Sequence, residues 1–258
     1  MDLARRLVDV SGSASKNRTM RHKKPLAALV TAAVAVVAGW GMREAAAESH
    51  LAPHAAAVPQ IGPTVPPQPQ PRPHSTRTVA LTFDDGPSRY TAQILAVLRR
   101  NHVRATFCVL GNNVKRHPAA ARQLVREGHQ LCNHTRDHAN MARLSRAKAR
   151  AEVTDTQREI HAATGVKPKI FRFPYGSSDA QSRKVVAGLH LRRLGWDVDP
   201  QDWRKPAARK ITARIVAHAH PRCVVLMHDG GGDRSHTAAS LDATIKQLRQ
   251  RGYQFVLA

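Results

Sequence analysis

The chain is poor in cysteine, in aromatic residues and in acids. Three cysteines among 258 residues, at positions 108, 132 and 223, are too few for a disulfide-built fold and too scattered for a C-x-x-C zinc ribbon. Aromatic residues make up 4% of the chain. That argues against a reader of single-stranded nucleic acid, which needs exposed rings for base stacking. Acids number 18 against 41 lysines and arginines, a formal net charge of +23, and the pI lies near 11.4. Nucleic acid, a membrane surface or an acidic polymer would each suit such an excess as partner, and composition does not choose among them. Phosphate-loop signatures are missing too. Gly230-Gly231-Gly232 carries no following Lys-Ser/Thr and no G-x-G-x-x-G, so it reads as a flexible strand-to-helix turn.

Long hydrophobic runs are also scarce. Leu26–Met42 is uncharged and rich in Ala and Val, but its 17 residues sit at the lower limit for crossing a bilayer core of about 30 Å. Residues 1–25 before it carry Arg5, Arg6, Lys16, Arg18, Arg21, Lys23 and Lys24 against Asp2 and Asp9. A basic segment leading into a short apolar one predicts an export signal or signal-anchor over residues 26–47. Ala45-Ala46-Ala47 offers small residues to a signal peptidase. A buried core helix is the bland alternative, and the charged flank on one side and proline-rich flank on the other argue against it. Residues 48–77 read as a Pro-rich linker: eight prolines fall between Pro53 and Pro73, and large apolar residues are almost absent. The expectation is an exported protein, secreted or held at the cell envelope, with membrane contact only through residues 26–42 if that segment is not cleaved.

From Thr78 onward strand-like and helix-like segments alternate. Apolar, β-branched runs occur at 79–83, 105–110, 129–132, 170–173, 191–196, 224–227 and 253–257. Between them lie amphipathic stretches such as Leu241, Ile245 and Leu248, spaced to line one face of a helix. The pattern predicts one α/β domain over residues 78–258, either a barrel or a doubly wound parallel sheet. Both place the ligand site at the C-terminal ends of the strands. Polar residues recur there: Asp84 and Asp85, then His134, Arg172 and Tyr175, Asp199 and Asp202, and His228.

His134 and His138, four residues apart, are expected on one face of a helical turn, close enough to share an ion. In a chain with 15 histidines such a pair alone says little. Asp84-Asp85 strengthens it. Adjacent strand residues point to opposite faces, so the two acids are expected to have different roles. One would complete a two-histidine, one-carboxylate metal site and the other would serve as a base. A plain Asp-Asp-Gly-Pro turn is the competing reading. His228 ends an apolar strand; as a general acid it needs an orienting carboxylate, for which Asp202 and Asp199 are both candidates. Arg172 near the same rim can hold a carboxylate ionised.

Thr82-Phe83-Asp84-Asp85-Gly86, His134-Thr-x-x-His138, Arg172-Phe-Pro-Tyr175, Asp199-x-x-Asp202-Trp203 and Leu226-Met-His228 resemble the five ordered motifs of the polysaccharide deacetylases, the NodB-type domain of carbohydrate esterase family 4. The resemblance covers residues 78–258 and implies a distorted (β/α)7 barrel. It implies Asp85, His134 and His138 as metal ligands, Asp84 as catalytic base and His228 as general acid. By the same resemblance Arg172 orients Asp84, Asp202 orients His228, Trp203 and Leu226 line a pocket for the acetyl methyl, and the Tyr175 N–H helps hold the oxyanion. The implied reaction is metal-dependent removal of N-acetyl groups from N-acetylglucosamine residues of a cell-wall or chitin-type polysaccharide. The N/O ligand set favours Zn²⁺, with Co²⁺ or Ni²⁺ as substitutes.

Three other readings share parts of the pattern. An acetyl xylan esterase-type O-deacetylase would use the same fold. An iron oxygenase shares the facial ligand set but has no use for a second Asp or for His228. A non-catalytic basic wall-binding module would not need the full set of motif residues. A Cys108–Cys132 disulfide is a further expectation, from the parallel pairing of their strands, with Cys223 a small buried residue at a strand start. The charge divides: residues 78–258 hold 31 Lys/Arg and 14 acids, so most of the excess belongs to the α/β domain. Given an export signal and a hydrolase site, an anionic cell envelope is the expected partner, ahead of nucleic acid.

Overall fold

The computed structural model describes residues 77–258. The basic segment 1–25, the apolar segment 26–47 and all but the last residue of the linker 48–77 lie outside the described residues. The described chain runs β1 (Thr78–Asp84), α1 (Thr91–Arg100), β2 (Thr106–Val109), α2 (Gly111–Arg116), α3 (Pro118–Arg126), β3 (Gln130–Asn133), α4 (Arg146–Thr164), β4 (Ile170–Phe171), α5 (Ala180–Gly188), β5 (Arg192–Arg193), α6 (Ala208–His218), β6 (Cys223–His228), α7 (Ser235–Gln250) and β7 (Gln254–Phe255). All seven expected strands are present. The fifth is shorter than its apolar run, because after Arg193 the chain leaves the ladder through Gly195.

Helix boundaries follow local chemistry. Pro118 opens α3, where its missing N–H costs nothing. The Ser145 hydroxyl caps α4, which ends on Gly165 at φ 74°. Asp179 and Ser182 cap each other's backbone at the start of α5.

Every strand pairing is parallel, in the order β5-β4-β3-β2-β1-β6, with β7 beside the start of β1. An isolated bridge joins Val198, in the segment after β5, to Val225 of β6. β1 is buried along almost its whole length, as a strand covered on both faces must be. Phe83 and Phe107 stack at 5.0 Å in the main core, where Leu81, Ile94, Leu98, Leu241, Ile245 and Leu248 are buried with them. The stripe read from 241, 245 and 248 is therefore the buried face of α7.

The expected disulfide is corrected. Cys108 and Cys132 are in register across β2 and β3, yet both are free, buried thiols, as is Cys223. In-register residues on parallel strands stand about 4.7–4.9 Å apart, a Cα separation that a disulfide can span, and the two side chains meet instead as a hydrogen-bonded pair of thiols. Burial and the neighbouring Cys132 push the Cys108 thiol well above its usual range, which keeps it protonated.

Candidate active site

Strand ends β1, β3, β4 and β6 and the loop after β5 converge on one pocket of about 450 Å³ lined by Asp84, Asp85, His134, His138, Tyr175, Trp203, Leu226 and His228. The parallel direction and register of the strands are the cause, whatever their lengths. Asp84 lies level with Cys108 on one side and with His228 on the other, so parallel strands in this register deliver their last polar residues to the same rim.

Asp84 and Asp85 both face this pocket, against the expectation that strand alternation would part them. Asp85 is the first residue past β1 and has φ 73°; this left-handed turn cancels the alternation. His134 Nε2 lies 3.6 Å from an oxygen of each acid. Asn113 Nδ2 holds the turn by donating to the Asp85 carbonyl at 2.6 Å; the peptide that follows, Gly86–Pro87, is cis.

The two histidines do not share a helical turn. His134 to His138 is a loop following β3, with Thr135 at φ 71° and His138 at φ 68°, and the loop rather than helical periodicity brings the rings to 5.1 Å. His134 Nδ1–H donates to the Arg172 carbonyl at 2.8 Å, which leaves the Nε2 lone pair for the pocket. His138 Nε2 lies 3.3 Å from Asp85 Oδ1. The ligand atoms of Asp85, His134 and His138 fall within 4.8 Å of one another, and Asp85 Oδ1 is a buried acceptor with no hydrogen-bond donor. With bonds of about 2.0–2.2 Å, ligand atoms on a tetrahedral ion stand about 3.3–3.6 Å apart. The three groups therefore fit a divalent metal.

Asp84 is gripped from behind. Arg172, fully buried, donates from Nη1 to Asp84 Oδ1 at 2.7 Å and to Thr82 Oγ1 at 2.8 Å, and from Nη2 to the Gly195 carbonyl at 2.8 Å. Burial alone would raise the Asp84 pKa; the charges of Arg172, His134 and His228 outweigh it and hold the carboxyl below its usual range. On the opposite wall, Asp202 and not Asp199 orients His228. His228 donates from Nδ1 to Asp202 Oδ1 at 2.7 Å and from its backbone N–H to Oδ2 at 2.9 Å, and the Thr237 hydroxyl donates to Oδ2 at 2.8 Å. Burial disfavours the charged imidazole, but the Asp202 hydrogen bond and charge, with Asp84 and Asp85, raise it to about 9. Asp199 instead accepts from Trp203 Nε1 at 3.4 Å.

Sequence reasoning missed Arg234, Asp229, Phe173 and Trp196. Arg234 is buried and lines the pocket; it donates to the carbonyls of Gly230 (2.6 Å), Gly231 (3.1 Å) and Asp233 (3.3 Å). The glycine run it clamps is the expected strand-to-helix turn, between β6 and α7, and it packs closely against Asp85. A Cβ on Gly230 would meet the Asp85 carbonyl at 2.0 Å, and one on Gly231, at φ 69°, would meet Asp85 Oδ2 at 2.5 Å. Three glycines followed by Asp-Arg were the available signal. Asp229 is fully buried against Thr91 and Gly86; burial, with Asp85 and Asp84 nearby, raises its pKa to about 7.

Residues 72–194 match the family model described as polysaccharide deacetylase. A peptidoglycan-N-acetylglucosamine deacetylase of Listeria monocytogenes is 37% identical over 72% of this chain, a stretch that is 39% of the relative's own length. A chitooligosaccharide deacetylase of a Bradyrhizobium species is 39% identical over 67% of this chain and 82% of the relative. Among solved structures, a family 4 carbohydrate esterase from Streptomyces lividans, crystallised with acetate, superimposes with a TM-score of 0.65 at 36% identity, covering 69% of this chain and 90% of that one. With the five motifs meeting at one pocket and these matches along the described domain, the chain belongs to the polysaccharide deacetylase family.

Proposed function

We propose that the protein is a metal-dependent hydrolase that removes N-acetyl groups from N-acetylglucosamine residues of a cell-wall or chitin-type polysaccharide. One observation carries the reading: a carboxylate held ionised by Arg172 and an imidazole held protonated by Asp202 face each other across a pocket that also presents Asp85, His134 and His138. Amide hydrolysis needs this division of labour.

A divalent ion held by Asp85, His134 and His138, for which Zn²⁺ is the first choice, supplies Lewis acidity and a lowered pKa for bound water. Asp84 accepts the proton from the water whose oxygen bonds to the acetamide carbon. His228, protonated at neutral pH, gives its Nε2 proton to the sugar nitrogen as the C–N bond breaks, so acetate and a free amine leave. Trp203 and Leu226 pack against the acetyl methyl. The backbone N–H of Tyr175 donates to the developing oxyanion, a type of contact worth about 3–4 kcal/mol. The domain is read as a distorted (β/α)7 barrel, with the Val198–Val225 bridge near its closure.

Residues 26–47 would direct export, the Pro-rich segment would space the domain from the membrane, and the basic domain would concentrate on an anionic envelope, more weakly as salt is added. Mass spectrometry of acetylated glycans incubated with the protein and Zn²⁺ tests the hydrolase reading. Acetyl loss from N-acetylglucosamine oligomers, abolished by a chelator, is expected. Loss only from O-acetylated xylan would replace it with esterase activity, and turnover only with Fe²⁺ and a 2-oxo acid would overturn it.

A further inference from the structure

Next to the catalytic pocket lies a second groove of about 540 Å³, and Phe173, Tyr175 and Trp196 line both. Its far side presents Ser178, Arg193 and the bare backbone of Gly195. We infer that this groove binds the sugar next to the acetamido residue, and that Arg193 selects a glycan in which that neighbour carries a carboxylate. The inference rests on the hydrolase reading above and names the substrate class more narrowly.

The walls are built for a ring. Tyr175 is 69% exposed and its ring packs edge-on against His138 at 4.4 Å, so one aromatic face belongs to the metal-ligand side and the rest is open to a ligand. Trp196 is pinned. A Cβ on Gly176, itself at φ 66°, would meet the Trp196 ring at 2.9 Å, and the Arg172 guanidinium lies 5.8 Å from the ring centroid. Rigid aromatic faces bind the apolar face of a sugar at little entropic cost. A Cβ on Gly195 would meet nothing within 4 Å, so the floor there is open.

The charge of the groove has one sign. No acid lines it, and Arg193 is exposed in β5. Behind Ser178, Arg183 donates to the Ser178 carbonyl at 3.2 Å; the nearest acid in sequence, Asp179, is engaged as the cap of α5. A neutral oligomer of N-acetylglucosamine offers this cation hydroxyl and carbonyl acceptors but no counter-charge, whereas a carboxylate on a 3-O-lactyl or uronic-acid neighbour would make a charge-assisted, bidentate-capable contact.

Groove and catalysis share a strut. The carbonyl of Gly195, on the groove floor, accepts from the same Arg172 that grips Asp84. A sugar seated against Gly195 and Trp196 would therefore brace the catalytic base, letting binding energy remote from the acetamide serve the chemical step.

The test uses the full chain loaded with Zn²⁺ and two tetrasaccharides of equal length. One is all N-acetylglucosamine; in the other, alternate residues are the 3-O-lactyl ether with a free carboxylate. Acetate release gives kcat and KM, and calorimetry gives binding separately. The expected result is about a tenfold preference in kcat/KM for the carboxylate oligomer, seen mainly in KM and shrinking with added salt. Arg193→Gln should remove the preference and Arg193→Lys should restore part of it, with melting temperatures reporting that both variants fold. Equal binding of the two oligomers, or a preference unchanged in Arg193→Gln, would overturn the inference. Carboxylate-dependent binding without turnover of either oligomer would overturn the hydrolase reading and leave this one standing.

Discussion

Asp84 and Asp202 are both buried carboxylates at one pocket, and their partners set them apart. Asp84 faces Arg172, a cation that does not titrate in the working range, and its own pKa is driven down. Asp202 faces His228, and there the imidazole pKa moves, to about 9. In the proposed mechanism a permanent cation makes one carboxylate a standing base, and a titratable partner makes the other pair a proton donor. Two near-identical acids acquire opposite electrostatic settings from the residue across the gap.

The sharpest way to break this comparison is Asp84→Asn, which keeps the shape and removes the base. Acetate release should fall by about 10²–10⁴, and the urea midpoint should fall too, because the buried Arg172 guanidinium loses its counter-charge; a loss of release under tenfold in the folded variant would remove Asp84 from the role of base. Next comes Arg172→Met, which strands Asp84 as a buried unpaired charge. About 3–5 kcal/mol of stability should be lost in urea unfolding. The double change Asp84→Asn with Arg172→Met should recover a large part of it, and simple additivity would deny that the two groups are coupled.

On the opposite wall, Asp202→Asn should move a pH limb. With His228 as acid, activity falls as pH rises through about 9; without the Asp202 charge that limb should shift toward the ordinary histidine value of about 6.5. The linked stability has the same sign. His228 binds its proton more tightly in the folded state, so its contribution is fully present below about 6.5 and is lost as pH rises through about 9. A pH–rate profile whose alkaline limb does not move would assign that limb to another group. The smallest effect is expected at the rim, where the Arg204 guanidinium lies 4.7 Å from the exposed Trp203 ring. Arg204→Gln should change kcat/KM by about twofold to fivefold, with the alkaline limb unmoved.

Much of this site can be read from one strand of text. Asp84, Asp85, His134, Arg172 and His228 sit where an apolar run ends, and His138 and Asp202 lie in the loops that follow such ends; in a parallel α/β fold that address is the functional one. Geometry that breaks periodicity was not legible. Alternation sends Asp84 and Asp85 apart until a φ of 73° at Asp85 brings them to one pocket. The i, i+4 spacing of His134 and His138 suggests a helix, and a loop with two left-handed residues does the work instead. Arg234 and the glycine run were invisible as site residues because their task is close packing against Asp85, which has no period.

By itself, then, the sequence determines the alternation of strands and helices, the chemical groups available and the end of the sheet on which they gather. These follow from hydrophobic patterning and from the direction of a parallel strand. Tertiary structure decides the pairings: Asp202 rather than Asp199 for His228, two free thiols rather than a Cys108–Cys132 bridge, and Arg172 as the strut between Asp84 and the Gly195 floor. Hydrogen-bond and ion-pair energies depend on a few tenths of an ångström and on the loss of solvent. Only the packed chain sets those quantities.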